Sequence, residues 1–492
     1  MPEEKAPETP TAPIDFGYPS EPKVTDHSIK IGRKTLNYQV TVGTLPLKNH
    51  KTGEKEADIF FVAYTLKDAP SNTPRPLTFS FNGGPGSSSV WLHLGALGPK
   101  RVKMLDDGSL PPPPFELVDN PDTWLDETDL VFVDPVGTGY SRAAKEDLNK
   151  KFWSLNGDLD AMAEFIRLYL SRYQRWTSPL FLAGESYGTT RAGGLTGLLV
   201  SKGIALNGIM LISTILNFQT LDSGFGNDLP SLLFLPTYTA TAWYHKKLSA
   251  DLQKKPLTDV LKEVEQWLET EYHYALLKGD SLDAQTRQQV IEKLAYYTGL
   301  TPEYIDQTEL RVLIYRFCKE LLRDQKRTVG RLDSRFVGTD AVAVSEHVEF
   351  DPAMATIMPP YTALLNQYVR EALQFEVDLV YEILSGDVFM GWTMNEGKRG
   401  DGYADTSDLL RQAFTRNPHM KVFVASGYYD LATPYYAAEY TLNHMYLPSG
   451  AHDRIQIAYY EAGHMMYIDV KSLKKLKTDV KNFIQSALNK SS

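Results

Sequence analysis

The sequence predicts an α/β protein with a mostly parallel central sheet, helices on both of its faces and a helical insertion. Three observations point there. Short apolar runs such as TDLVFVDP (Thr128–Pro135) and PLFLAGE (Pro179–Glu185) have the character of buried parallel strands. Between those two, Leu159, Met162, Phe165, Ile166 and Leu170 recur at helical spacing and complete a strand–helix–strand unit. From about Phe218 to Leu384, strand-like runs become few and helical patterns dominate.

The elements follow in order. Residues 1–25 are rich in Pro and Glu, lack the apolar stretch of an intact signal peptide and are expected to form a disordered leader. The first part of the core, 26–216, opens with strand patterns at His27–Ile31, Leu36–Leu47 and Ala57–Leu66. LTFSFNGG (Leu77–Gly84) is a strand running into a glycine-rich loop, and the helical pattern Gly157–Trp176 separates the two buried runs above. Gly203–Thr214 adds a further strand. An inserted helical cap is expected over 217–385, with helices at Leu257–Glu269, Ala284–Tyr297 and Pro302–Leu322. The second part of the core, 386–492, returns to strands at Lys421–Gly427 and Arg454–Gly463 and closes on a helix, Ser472–Leu488.

Composition removes several function classes. The chain has 492 residues and one cysteine, Cys318, which excludes an intrachain disulfide and a zinc ribbon. Cys318 lies at helical spacing and is expected to be a buried apolar residue. Lys and Arg number 51 against 61 Asp and Glu, a net charge of −10 that disfavours nucleic acid as a partner. No run approaches the ~18 apolar residues of a spanning helix, so no membrane insertion is expected. His347 and Glu349 form no H-E-x-x-H pattern, and the sequence calls for neither a metal nor a cofactor.

Four segments carry chemistry. GESYG (Gly184–Gly188) fits G-x-S-x-G between a predicted strand and a predicted helix, where a sharp elbow lifts a serine hydroxyl above the sheet edge. A serine there also fits a helix N-cap. A serine nucleophile needs a base, and the base an orienting carboxylate. Asp430, in SGYYDLATP, and His464, in YEAGHMMY, each follow a predicted strand and stand in the order Ser, Asp, His expected of an α/β-hydrolase. Singly, Asp430 reads as a turn former and His464 as a structural histidine; jointly they read as a triad with Ser186. In FNGGPGSSS (Phe81–Ser89), adjacent glycines allow backbone amides to approach a reacting carbonyl oxygen. No Gly-Lys-Ser/Thr follows, so it is not a phosphate loop. GDSL (Gly279–Leu282) matches another hydrolase signature but lies within the helical insertion, where Asp280 or Ser281 is expected to cap the next helix.

Together these residues resemble the serine carboxypeptidase family of the α/β-hydrolase fold. The matching segments are Asn82–Pro99, Val131–Ser141, Gly184–Gly188, the Gly427–Asp430 turn and Ala462–Met465, in family order from about residue 77 to 466. Val329–Phe336 (VGRLDSRF) looks like a segment of the prokaryotic branch. The resemblance implies Ser186 as nucleophile, His464 as general base and acid, and Asp430 as its orienter. It implies the amides of Gly84 and Tyr187 as the oxyanion hole, and Asn82 and Glu185 as ligands of the peptide's terminal carboxylate. A glutamate meets a carboxylate only if the pair shares a proton, so an acid optimum is expected.

The chain departs from the family pattern at Ser80, Ser87 and Ala96, where tryptophan, cysteine and glutamate are usual. That puts a strict exopeptidase preference in doubt. The expected activity is release of C-terminal amino acids from peptides; an esterase or acyltransferase using the same triad is the alternative, and a catalytically silent binding scaffold the rival from another class. Tyr428, Tyr429, Tyr435 and Tyr436, with Trp243, could line side-chain pockets. A secreted or periplasmic location is expected if a signal was removed, and a cytoplasmic one if the sequence is complete. The oligomeric state stays open, a homodimer being one option.

Overall fold

The computed structural model describes residues 14–68, 74–394 and 402–488. Ten strands form one sheet: β1 (Lys23–Ile31), β2 (Lys34–Lys48), β3 (Lys55–Leu66), β4 (Leu77–Phe81), β5 (Asp129–Val133), β6 (Arg142–Ala143), β7 (Leu180–Ser186), β8 (Gly208–Thr214), β9 (Lys421–Gly427) and β10 (Ile455–Tyr460). The order is β1-β2-β3-β5-β4-β7-β8-β9-β10, with β6 beside β3. From β5 to β10 all neighbours along this path are parallel, and the β1–β2–β3 meander joins them antiparallel.

Burial explains the order. β4, β5 and β8 are buried at every residue, as strands covered on both faces must be, while β2 alternates between buried and exposed. Successive side chains of the central strands enter opposite apolar clusters. Phe181, Ala183, Met210, Ile212, Phe423 and Ala425 face one side, and Leu180, Leu182, Ile209, Leu211, Val422 and Val424 the other. Helices α1 (Leu155–Arg172) and α2 (Tyr187–Ser201) cover the second face. Helices α3 (Leu235–Tyr244), α4 (Leu257–Trp267) and α5 (Ala284–Thr298) build a third cluster, which Tyr429, Leu431 and Tyr435 join. The first face is covered by α6 (Pro352–Gln367) and the last helix, α9 (Val470–Leu488), which follows α7 (Ser407–Arg416) and α8 (Tyr435–Asn443).

Four expectations change in detail. β1 begins at Lys23, inside the stretch assigned to a leader, of which residues 1–13 lie outside the described residues. The stretch 217–385 divides by packing: Leu232–Val329 contribute to the third cluster, whereas Ile357, Tyr361, Leu364 and Ile383 join the cluster against the sheet. In place of one helix over Pro302–Leu322 there are two, Pro302–Gln307 and Ile314–Glu320. Glu309 and Leu310 take positive φ between them, held by the Tyr272 hydroxyl donating to the Leu310 carbonyl and by the Arg311–Asp228 pair. Tertiary contacts override local helical pattern here. Asp283, not Asp280 or Ser281, caps α5 by accepting from the Thr286 amide. Cys318 is buried, 1% exposed. Among the described residues no helix is long and apolar enough to cross a membrane.

The final helix is a structural clamp. Phe483, 1% exposed, packs its ring against Phe181 and Phe423 on two central strands. Phe483→Ala should therefore cost about 3–5 kcal/mol. Denaturant unfolding checks this, and a midpoint within error of the parent would contradict the assignment.

Candidate active site

The carboxyl ends of the parallel strands lie along one edge of the sheet, and each singled-out residue follows one of them. Asn82 follows β4, Ser186 ends β7, Asp430 follows β9 and His464 follows β10.

Ser186 sits at φ 59°, ψ −132°, a conformation that a non-glycine residue adopts only when its surroundings enforce it. Its own side chain makes no N-cap bond to α2, so the capping alternative does not hold. The elbow closes because its flanks are glycine: a Cβ on Gly184 would lie 2.1 Å from the Gly188 carbonyl oxygen. Tyr187 opens α2, and first-turn amides have no acceptor inside their own helix. The Asn82–Gly84 loop lies against this point, a Cβ on Gly83 falling 2.4 Å from the Tyr187 amide nitrogen. Gly84 takes φ +102°.

Asp430 does both things its sequence context suggested. Oδ1 accepts from the amides of Ala432 (2.8 Å) and Thr433 (3.0 Å), which builds the turn. Oδ2 accepts from the Thr433 hydroxyl and lies 2.8 Å from His464 Nδ1. Asp430 is fully buried and His464 is 4% exposed. Burial opposes charge on the imidazole, but the Asp430 carboxylate and its hydrogen bond outweigh it and raise the His464 pKa. The histidine's backbone is pinned too: its amide donates to the Leu332 carbonyl at 2.7 Å, and its carbonyl accepts from Ser213 Oγ at 2.6 Å.

Ser186 and His464 line one cavity of about 360 Å³, together with Asn82, Gly83, Gly84 and Glu185. Asn82 is fixed at both ends of its polar inventory. Its side-chain oxygen accepts from the Leu92 amide and its carbonyl from Arg191, a buried guanidinium paired with Asp158 at 2.7 Å. This leaves Asn82 Nδ2 without a partner, and Glu185 Oε2 is likewise buried and unpartnered. Burial pushes Glu185 up to about 7; the nearby His464 and Tyr467 pull it back, Asp430 adds to the rise, and Asn82 pulls it back in turn. Tyr467 and Asn82 lie close by, though neither meets Oε2 in bonding geometry.

A sequence profile of the serine carboxypeptidase family matches residues 42–478. The chain belongs to the serine carboxypeptidase family. Pheromone-processing carboxypeptidase KEX1 of Saccharomyces cerevisiae is 33% identical over 162 residues, 30% of this chain and 21% of that protein. Serine carboxypeptidase-like 13 of Arabidopsis thaliana is 31% identical over 137 residues, 27% of this chain and 30% of that protein. Both alignments span under a third of the relative's length. The crystal structure of a prohormone-processing KEX1 carboxypeptidase from Saccharomyces cerevisiae superposes with a TM-score of 0.58, covering 90% of this chain and 91% of that one at 16% identity. At that identity the likeness is one of fold, and the fold is the α/β-hydrolase fold.

Where the chain departs from the family pattern, other contacts take shape around the substituted positions. Ser87 Oγ accepts from the Trp91 indole at 2.8 Å, and Ser80 is buried with its hydroxyl unpartnered. Beside Ala96, a Cβ on Gly95 would meet the Tyr467 ring at 2.5 Å and the Tyr361 hydroxyl at 2.7 Å. Two phenols thus pack against the helical turn that carries Ala96, and the Tyr467 hydroxyl is another buried, unpartnered group. Sequence reasoning missed Tyr467, although it stands three residues after His464. It also missed Thr433 and Ser213, which position the Asp430 and His464 loops.

The aromatic expectation is corrected. Tyr429 and Tyr435 are buried in the third cluster, and Tyr428, Tyr436 and Trp243 pack against it. Tyr428 stacks on Tyr459, and the Tyr435 and Tyr436 hydroxyls donate to Glu265 and Glu269. None of these five lines the Ser186 cavity.

The shift at Glu185 has a consequence for stability. The folded protein binds this proton more tightly than the unfolded chain, so stability from this group falls as pH rises from the ordinary carboxyl value of 4.5 towards about 7. Glu185→Gln should flatten that part of the decline. Urea midpoints of both proteins at pH 5 and pH 8 check it, and identical pH slopes would contradict it.

Proposed function

We propose that this chain is a serine-type carboxypeptidase that releases C-terminal amino acids from peptides through an acyl-enzyme intermediate. Ser186 Oγ attacks the scissile carbonyl, His464 accepts its proton and later returns it to the leaving amine, and Asp430 keeps the imidazole oriented. The amides of Gly84 and Tyr187 stabilise the oxyanion, aided by the N-terminal turn of α2.

One observation carries the exopeptidase reading: Asn82 and Glu185 line the cavity beside the nucleophile, and their buried Nδ2 and Oε2 have no partner in hydrogen-bonding geometry. Buried polar groups are nearly always satisfied, so unsatisfied ones on residues that line a cavity point to a ligand. A terminal carboxylate supplies acceptors for both, provided that Glu185 holds a proton. With Glu185 pushed up to about 7, that proton is present in mild acid and lost above neutrality. The esterase or acyltransferase alternative draws on Ser80 and Ala96, which remove family partners of the carboxylate while leaving the triad.

Fluorophosphonate labelling that disappears in Ser186→Ala is expected, and absence of labelling in the parent would favour a non-catalytic scaffold. Glu185→Gln should then separate the two hydrolytic readings. The variant is expected to lose the alkaline decline of kcat/KM for a blocked dipeptide acid while keeping turnover of a simple ester. An unchanged peptide profile would remove Glu185 from substrate recognition.

A further inference from the structure

Val329–Phe336, singled out in the sequence without a role, forms a strap across both loops of the His464–Asp430 pair. The Leu431 amide donates to the Arg331 carbonyl at 3.0 Å, the His464 amide to the Leu332 carbonyl at 2.7 Å, and the Ser334 amide to the Tyr429 carbonyl at 3.0 Å. Asp333 accepts from the Gly463 amide at 3.0 Å and pairs with Arg335 at 2.7 Å, and Arg335 in turn donates to the Glu461 carbonyl. These bonds account for the strap's backbone, for Asp333 and for Arg335. They leave one charged side chain over.

That side chain is Arg331. It is half-buried and lines the Ser186 cavity. With Leu332 and Met354 it also borders an adjoining cavity of about 280 Å³, so it stands at the partition between the two. Among the described residues its guanidinium has neither a hydrogen bond nor an ion pair, whereas the buried Arg191 and the half-buried Arg335 are both paired with aspartates. The neighbouring acids are engaged elsewhere. Asp351 spends Oδ1 on the Ala353 amide (2.9 Å) and Oδ2 on the Leu332 amide (3.0 Å), and Glu349 accepts from the Ala341 amide. Glu185, which lines the same cavity, is pushed towards its neutral form by burial.

A partly desolvated cation with no counter-charge is costly unless a ligand supplies one. Guanidinium is the side chain best shaped for a carboxylate, which it binds through two parallel hydrogen bonds. A carboxylate docked there would also offset the field by which Arg331 opposes protonation of His464.

We propose that Arg331 is a recognition site for a substrate carboxylate within the catalytic cavity. The inference rests on the peptide-hydrolysing reading above for the identity of the substrate. The carboxylate has two sources: an acidic side chain next to the cleaved bond, reaching towards the adjoining cavity, or the peptide's own terminus. Either makes this chain selective for anionic substrates through a cation that Asn82 and Glu185 do not supply.

The test compares Arg331→Gln with the parent through substrate ratios, so a general loss of activity cancels. Three charged and uncharged pairs are used: blocked dipeptide acids with Glu or Gln beside the cleaved bond, one dipeptide as free acid or C-terminal amide, and the p-nitrophenyl esters of succinate and butyrate. The charged-to-uncharged ratio of kcat/KM is expected to fall about 10- to 100-fold in the variant. A fall in the Glu/Gln ratio assigns the side chain as source, and a fall confined to the acid/amide ratio assigns the terminus. Arg331→Glu should move the preference at the same position towards lysine. If no ratio changes in Arg331→Gln, the proposal is overturned, however far the absolute rates drop. Should the parent prove inactive on peptides, the carboxypeptidase reading fails alone, because the ester pair still reports on Arg331.

Discussion

Three glycines bring two loops of backbone into direct contact at the carboxyl edge of the sheet, and the site depends on that contact. A Cβ on Gly184 would strike the Gly188 carbonyl, one on Gly83 the Tyr187 amide, and one on Gly188 the Phe81 carbonyl at 2.8 Å. Without side chains at these points, the elbow of Ser186 and the loop after β4 approach to a distance that no other residue permits. The approach sets the start of α2 against Gly83. It also stacks Glu185 and Asn82, the residues preceding Ser186 and Gly83, on the same wall. Ser186, the amides beside it and the Asn82 and Glu185 side chains are therefore set by one piece of backbone geometry.

Around that scaffold, burial divides the titrating groups into two roles. His464 is kept basic by a carboxylate that four donors fix in place: two amides, a hydroxyl and the imidazole itself. Glu185 has no comparable donors on Oε2, and desolvation drives its affinity for a proton upward. Environments that push ionisable groups towards different protonation states are how one cavity holds an acid and a base together. The same contrast explains why Asp430 reads as a turn former in the sequence and still meets the histidine. The turn amides occupy one oxygen and leave the other for the imidazole.

Much of this was legible in the sequence because it is local. Strands with continuous burial, such as Leu77–Phe81 and Asp129–Val133, announce themselves as apolar runs, and the elbow is a contiguous motif between a strand and a helix. Asp430 and His464 could be placed since each follows a strand, and parallel strands put their ends together. What stayed hidden arises from contacts across the chain. The break after Gln307 is made by Tyr272 and Asp228, and Tyr467 owes its place beside Glu185 to the loop after β10 folding back on Gly95. Arg331 was visible only as part of an unexplained segment; its missing partner is a property of three dimensions. The tyrosines near Asp430 misled for the converse reason, because aromatic residues close in sequence to a site most often pack away from it, as these do into the third cluster.

The central claim is that the Asn82–Glu185 wall reads a free carboxylate at the end of a peptide. Hydrolysis of one blocked dipeptide as its free acid and as its C-terminal amide, at pH 5, tests it most directly. A clear preference in kcat/KM for the acid is the predicted result. Equal rates for acid and amide would contradict it.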